Sequence, residues 1–526
     1  MLRYFTISLI FYFGSVENSS IKCKGPFSLD LIHFNDFHAR FEETSLDSPI
    51  CRTNNSHCLG GYPRLYYIIN KLKEEKPNAL LLEAGDSFQG TFWYTELKWG
   101  IVEEFMNFLP IDAHAIGNHD FDDGPEGLAP YLAALKAPAL AANMDASNEP
   151  ILKDKFKSHA IIERDGKKIG VIGLITTDTQ LFSITGKAKF LDPYETIERE
   201  IAELKKEGVD FIIVLSHCGY DVDKRIAREF GEHVNIVVGG HSHRPESIQR
   251  DYPTIVESDK DNKKKVLVVQ ASAFTKYVGN ITVNFDCDGN MIDWNGGMIR
   301  LDRSIPEDPM MKAKLKPYMK QVHEGAAVPI GETLVDMPFK NCQIKECALG
   351  NLVTDAFNEK AMNTVKTDLS YIAFAQCSYL TSNIPEGTIT HGHIVELLPY
   401  YDQIETFQMK GKYIIELLER SAKDVLPSEI PNMLQVSGLE IVYNMTKREG
   451  KRLYSVKVGQ ESMDINKFYQ VTAPGFLADG GDGYTIFKKQ KKNMKVIGYD
   501  QDVLKDYIKK HSPIDLNVGN RINMVR

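Results

Sequence analysis

Five times in this chain a short apolar run stops abruptly and delivers Asp, Asn or His, and that repetition constrains the fold more than any other feature. Residues 29–34 lead to Asp36 and His38, and residues 79–83 lead to Asp86. The run 111–116 opens onto Gly117-Asn118-His119-Asp120-Phe121-Asp122, which holds an amide, an imidazole and two carboxylates within six residues. Residues 211–215 lead to His217, and 236–238 to His241 and His243. Any one of these residues alone would be an ordinary turn former or a hydrogen-bonded core histidine, since turns favour Asp and Asn. Five strand ends carrying such groups describe instead the crevice at the carboxyl edge of an α/β sheet. Helical stretches at 62–73 and 193–206 alternate with the strands, as a layered α/β fold requires.

Asn is a poor ligand alone, so its place beside His119 makes most sense next to an ion that other residues already hold. Asp36, His38, Asp86, Asn118, His217, His241 and His243 supply oxygen and imidazole donors without thiolate, a set that suits zinc, manganese, iron or magnesium. Seven ligands are too many for one ion, so two are expected. A carboxylate such as Asp86 can bridge a pair about 3.5–4 Å apart, the spacing at which two-metal hydrolases clamp phosphate oxygens.

Asn35-Asp36-Phe37-His38, Gly85-Asp86, Gly117-Asn118-His119-Asp120, Ser216-His217 and Gly239-Gly240-His241-Ser242-His243 resemble the motif series of the calcineurin-like metallophosphoesterases. The opening Asn-Asp-x-His-x-Arg-Phe-Glu, with a second large domain after it, is similar to the 5′-nucleotidase and apyrase family. The resemblance covers essentially the whole mature chain. It implies a four-layer α/β sandwich (αββα) with a two-metal site at 27–305. A linker helix at 306–328 and a second, α+β nucleotide-binding domain at 329–526 would follow.

Residue by residue, the resemblance implies that Asp36, His38, Asp86 and His243 hold one divalent ion. Asp86, Asn118, His217 and His241 would hold the other. Zinc is foremost, with manganese, calcium, magnesium or cobalt as alternatives. His243 stands where several relatives have Asn or Gln, and imidazole is at least as good a ligand. His119, oriented by Asp122, would stabilise charge on the phosphoryl group. Tyr400 and Phe476 would sandwich a base, Asp482 would accept from the ribose hydroxyls, and Arg40 would face phosphate.

The sequence departs from the family where phosphate is gripped. Gln343 stands where relatives usually have arginine, and Thr381 falls at a second such position, with bulky Tyr379 and Leu380 replacing glycines beside it. Each lost charge-assisted hydrogen bond is worth roughly 1.5–3 kcal/mol. Lys345 offers only a point charge in exchange.

Compartment and partners follow from the rest. Residues 4–13 are apolar, preceded by Arg3 and followed by small residues, which reads as a secretory signal peptide at 1–20. The run is too short for a bilayer span of roughly 20 residues. The end of the chain carries no hydrophobic tail of the kind a lipid-anchor signal needs, so an extracellular protein without membrane anchor is expected. In this it resembles the secreted salivary apyrases of blood-feeding arthropods.

Eight cysteines agree with an oxidising compartment. Cys51 with Cys58 and Cys342 with Cys347 are close enough to close small loops, and the partners of Cys23, Cys218, Cys287 and Cys377 stay open. Asn18, Asn54, Asn280 and Asn444 begin glycosylation sequons. A net charge of −9 argues against nucleic acid as a partner. The lysine groups at 263–265 and 488–492 read as solvated loops or as a local anion site.

Two functional readings emerge. The first is a secreted phosphohydrolase of nucleoside tri-, di- or monophosphates that dampens ADP-driven platelet activation. The second is a catalytically impaired relative that inhibits haemostasis by binding nucleotide, a platelet receptor or a clotting protein.

Overall fold

A computed structural model describes residues 26–45, 51, 57–243, 252–261, 264–423, 433–516, 518–519 and 521–525. The expected signal segment, Cys23, Asn18, Asn54 and Lys263 lie outside the described residues.

The strand Phe27–Phe34 shows why the sandwich forms. Its side chains alternate faces. Phe27, Leu29 and Leu31 point into a core shared between two sheets, while Ile32 and Phe34 point into a second core under helices. Such a strand is buried on both sides, so it reads in sequence as a continuous apolar run. In its sheet the order is Met291–Arg300, Tyr277–Phe285, Phe27–Phe34, Leu80–Glu83, Ala113–Ala115, Ala139–Leu140, the last four running parallel.

The second sheet runs Thr254–Glu257, Lys265–Val269, Ile236–Gly239, Phe211–His217, Lys167–Ile175, His159–Arg164. It faces the first through Val171, Ile213, Leu215 and Ile236. Helices Tyr62–Glu75, Phe92–Met106 and Gly124–Ala134 cover the outside of the first sheet, and Pro193–Lys206 and Tyr220–Phe230 cover the second. This is the four-layer arrangement expected. The edge strand Met291–Arg300 was not anticipated: it carries Gly296 and Gly297 and no alternation, and it is held by antiparallel pairing with Tyr277–Phe285.

The helix at 309–326 begins where an Asp-Pro pair dictates. Asp308 caps it by accepting from the Met311 N–H at 2.8 Å, and Pro309 fills the first turn, where no N–H is needed. Met311, Leu315 and Val322 bury themselves in the core under the helices of the first sheet.

Beyond it lies a five-stranded sheet in the order Leu434–Ser437, Tyr371–Gln376, Phe468–Pro474, Gln403–Lys410, Lys492–Tyr499. Helices Ala348–Thr364 and Asp500–His511 pack on one face and Gly411–Lys423 on the other. The helix His391–Leu397 leads back to the first unit: Val395 joins the core under the helices of the first sheet, and His391 meets the Phe92 ring edge-on at 5.0 Å. Disulfides join Cys51 to Cys58 and Cys342 to Cys347, and Cys287 is also disulfide-bonded. Cys218 and Cys377 are buried.

Candidate metal centre and substrate cavity

The parallel strands of both sheets end on the same edge, and all seven expected ligands gather there. Asp36, His38, Asp86 and Asn118 come from the first sheet; His217, His241 and His243 come from the second. Asp36, His38, Asp86 and His243 form one cluster and Asp86, His217 and His241 another, with the ligand atoms of each within 4.8 Å of one another. Asp86 is common to both. Its Oδ2 lies 2.9 Å from His217 Nε2 and 3.7 Å from His38 Nε2. His243 Nε2 lies 2.9 Å from Asp36 Oδ1 and 3.1 Å from His38 Nε2.

The backbone is bent to achieve this. Asp36, His38, Asp86, His241 and His243 all have left-handed φ, between 43° and 72°. A non-glycine residue held there costs on the order of 1–3 kcal/mol, and such strain collects at functional sites. Gly117 permits the crossing: a Cβ on it would sit 2.2 Å from Asp86 Oδ1. Asp120 pins the two loops together, accepting from the N–H groups of Ser87 (2.9 Å), Phe88 (3.1 Å) and Gly117 (2.8 Å).

The donor set fits divalent ions. His38 Nδ1 bonds Phe88 O at 3.1 Å and His217 Nδ1 bonds Ala84 O at 2.6 Å, which turns both Nε2 atoms inward. Burial pushes His38 well below the usual histidine range and lowers His241 to about 4, so both stay neutral, as ligands must. The two imidazole nitrogens that face each other at 3.1 Å are close enough to share a proton or, in its place, to ligate one cation. Burial opposes protonation of His217, yet the Asp86 carboxylate overrides it and lifts the ring to about 10. A pair that draws a proton this strongly also draws a cation. Asn118 Oδ1 is buried with no hydrogen-bond partner among the described residues.

His119 and Asp122 stand beside this cluster. His119 Nδ1 lies 2.8 Å from Asp122 Oδ2, and its backbone N–H donates to Asp86 Oδ1 at 2.8 Å. Ser183 Oγ donates to Asp122 Oδ1 at 3.1 Å and to Asn118 O at 2.8 Å. Burial works against the imidazolium, and Asp122 and Asp86 outweigh it, raising His119 to about 9.

A cavity of about 370 Å³ opens from the cluster into the second domain. Asp86, Asn118, His119, His241 and His243 line it together with Tyr400, Phe476 and Asp482, so the structure brings these together. The Tyr400 ring stacks on His119 at 4.8 Å and 24°.

Arg40 is placed differently. It is buried behind the cavity, where it donates to Gly90 O and lies 4.4 Å over the Phe274 ring. Gln343 and Lys345 are not among the lining residues, and the Thr381 hydroxyl is spent on Glu396 O. Among the described residues lining the cavity there is no Lys or Arg. Tyr379 lines it and donates to buried Asp500, whereas Leu380 belongs to the hydrophobic core.

Several participants were not picked out from the sequence. Ser378 Oγ donates to Asp482 Oδ2 at 2.6 Å, and Asp402 Oδ2 accepts from the Phe476 N–H at 3.0 Å. Asn35 Nδ2 donates to Asp36 Oδ2 at 2.6 Å while its Oδ1 accepts from the Ala271 N–H. Only Asn35 had a signal, its place directly before Asp36.

Comparisons with known proteins agree with this geometry. Residues 29–245 match the calcineurin-like phosphoesterase family, and residues 329–489 match the 5′-nucleotidase C-terminal domain. An apyrase of Tabanus yao is 38% identical, covering 95% of this chain and 94% of its own. Human 5′-nucleotidase is 34% identical, covering 95% and 91%. The crystal structure of a 5′-nucleotidase precursor from Thermus thermophilus superposes with a TM-score of 0.75 at 33% identity, over 95% of this chain and 99% of that one. A strained, doubly clustered ligand set beneath a two-domain cavity, on a chain alike along its length to these hydrolases, has one explanation: the chain belongs to the 5′-nucleotidase and apyrase family of calcineurin-like phosphoesterases and is a phosphoester hydrolase.

Proposed function

We propose that this is a secreted, metal-dependent enzyme that removes phosphate from extracellular ATP, ADP or AMP, and that it thereby dampens ADP-driven platelet aggregation. The observation that carries the reading is the pair of ligand clusters sharing Asp86 in the wall of a cavity that Tyr400 and Phe476 also line. Asp36, His38, Asp86 and His243 would hold one ion, and Asp86, Asn118, His217 and His241 the second. Such ions supply Lewis-acid charge to phosphoryl oxygens and draw a nucleophile from water near neutral pH.

The chain's own groups do the rest. His119 presents Nε2 with a proton to phosphate while Asp122 holds Nδ1 and balances the charge. Phe476 and Tyr400 take the base between them, with Tyr400 braced from behind by His119. Asp482, already steadied by Ser378, accepts from the ribose.

Stacking a base is worth roughly 1–3 kcal/mol. Phe476→Ala therefore raises the KM for nucleotides by about tenfold while metal content stays at the wild-type level. An unchanged KM would sink the stacking role.

The direct test is phosphate release from ATP, ADP and AMP by metal-loaded protein, with a chelator control. Chelator-sensitive release is expected, and the ranking of the three substrates separates apyrase from 5′-nucleotidase action. The absence of Lys and Arg among the described residues lining the cavity favours a second reading, a binding-type inhibitor of haemostasis with little turnover. No release from protein with metal demonstrably bound would overturn the first reading in favour of the second.

A further inference from the structure

The second domain carries a basic face away from the cavity. A register shift between Thr406 and Gln408 inserts an extra residue into the neighbouring strand, so that Lys492 lies opposite Gln408 and Lys495 opposite Thr406. Lysines three apart in sequence would normally point to opposite faces of a strand. The bulge brings them to the same one.

Lys410, two residues beyond Gln408, joins that face, and its Nζ lies 5.4 Å from the centre of the Phe468 ring while Lys492 Nζ lies 5.8 Å from the same ring. Lys360 reaches it from the helix Ala348–Thr364: a Cβ on Gly498, opposite Ile404, would lie 3.6 Å from Lys360 Cε.

The face is cationic without local compensation. Among the described residues no ion pair involves Lys360, Lys410, Lys492 or Lys495, whereas Lys491, on the other face, is held by Glu405 at 2.7 Å and Asp479 at 2.9 Å. The same-face neighbours Thr406, Gln408, Gln470 and Thr472 carry no charge. In a protein of net charge −9, Lys410, Lys492 and Lys495 lie along about 13 Å of paired strand, and Lys360 joins them from the helix that covers the buried Thr406, Gln470 and Thr472.

We propose that this face binds a linear sulfated polysaccharide. Two observations favour that partner over an anionic lipid surface or a nucleic acid. The lysines form a row along the strand direction, matching a chain with anions at intervals. The amides of Asn493 and Gln408, 2.8 Å apart between the lysines, suit sugar hydroxyls. The disulfides Cys51–Cys58 and Cys342–Cys347 belong to the oxidising compartments where such polysaccharides occur.

Heparin serves as the probe, with the full chain and its metal in place. Wild-type protein is expected to bind it in a salt-sensitive manner. Lys410→Gln/Lys492→Gln/Lys495→Gln is expected to bind about tenfold or more weakly, with a shallower salt dependence and an unchanged thermal unfolding temperature. Lys488→Gln/Lys489→Gln, which alters lysines nearby on the helix Ile486–Gln490, keeps wild-type binding. The proposal is overturned if the triple variant binds as tightly as wild type or if the control pair loses as much. It is also overturned if phosphatidylserine vesicles or single-stranded DNA bind more tightly than heparin at equal salt.

Discussion

His119→Ala lowers kcat for phosphate release by about 10²–10³-fold and leaves metal content unchanged, the scale of a lost donor to developing charge. The reason lies in which atoms are already engaged. The described hydrogen bond from His119 to the cluster is its backbone N–H on Asp86, which alanine retains, and its Nδ1 is taken by Asp122. Its ring is therefore free to serve the substrate and is no ligand. A variant that lost metal and activity in equal measure would make His119 a ligand and end this assignment.

Asp122→Asn separates charge from shape. The imidazolium that burial opposes is sustained first by Asp122, so activity that needs protonated His119 falls as pH rises through the folded-state pKa of that ring. Removing the Asp122 charge lowers that pKa, and the basic limb of the pH–rate profile moves to lower pH. A profile that stays in place would mean Asp122 acts by packing alone.

Asp86→Asn has the larger effect: activity falls by about 10³-fold or more, and bound metal drops from two equivalents to one or none. Altering a residue that only orients a ligand costs about 10–100-fold in metal affinity or activity. Asp86 is more exposed to loss because it alone belongs to both clusters. The amide preserves the bond from the His119 N–H through its oxygen but leaves His217 and His38 facing a neutral group. Asp36→Asn is the matched comparison, since Asp36 belongs to a single cluster. Two equivalents retained in Asp86→Asn would remove the bridging role.

Much of this was legible in the sequence for a physical reason. Parallel strands buried on both faces must be apolar throughout, so the point where Leu80–Glu83 or Ile236–Gly239 gives way to Asp or His is conspicuous. Local capping chemistry likewise fixed the helix Pro193–Lys206, where Asp192 accepts from the N–H groups of Tyr194 and Glu195.

What stayed hidden depends on distant partners or on backbone shape. Nothing in the letters Asp36 or His243 discloses a left-handed φ, because glycine, the residue that usually marks it, is absent there. Ser378 and Asp482 are 104 positions apart, so their hydrogen bond has no local trace. Arg40 sits in the expected motif, with one guanidinium nitrogen on the Gly90 carbonyl and its plane over the Phe274 ring.

The division of ligands between the two sheets has a consequence for how the chain is policed. Four come from one sheet and three from the other, and each cluster draws on both. A molecule with one sheet formed and the other misassembled possesses no complete cluster of either kind. It is silent, and cannot be a weak or indiscriminate hydrolase while it is still folding or after it has begun to come apart. Stray attack on phosphoesters is thereby held off, since competence arrives only when the two halves of the sandwich have closed on each other.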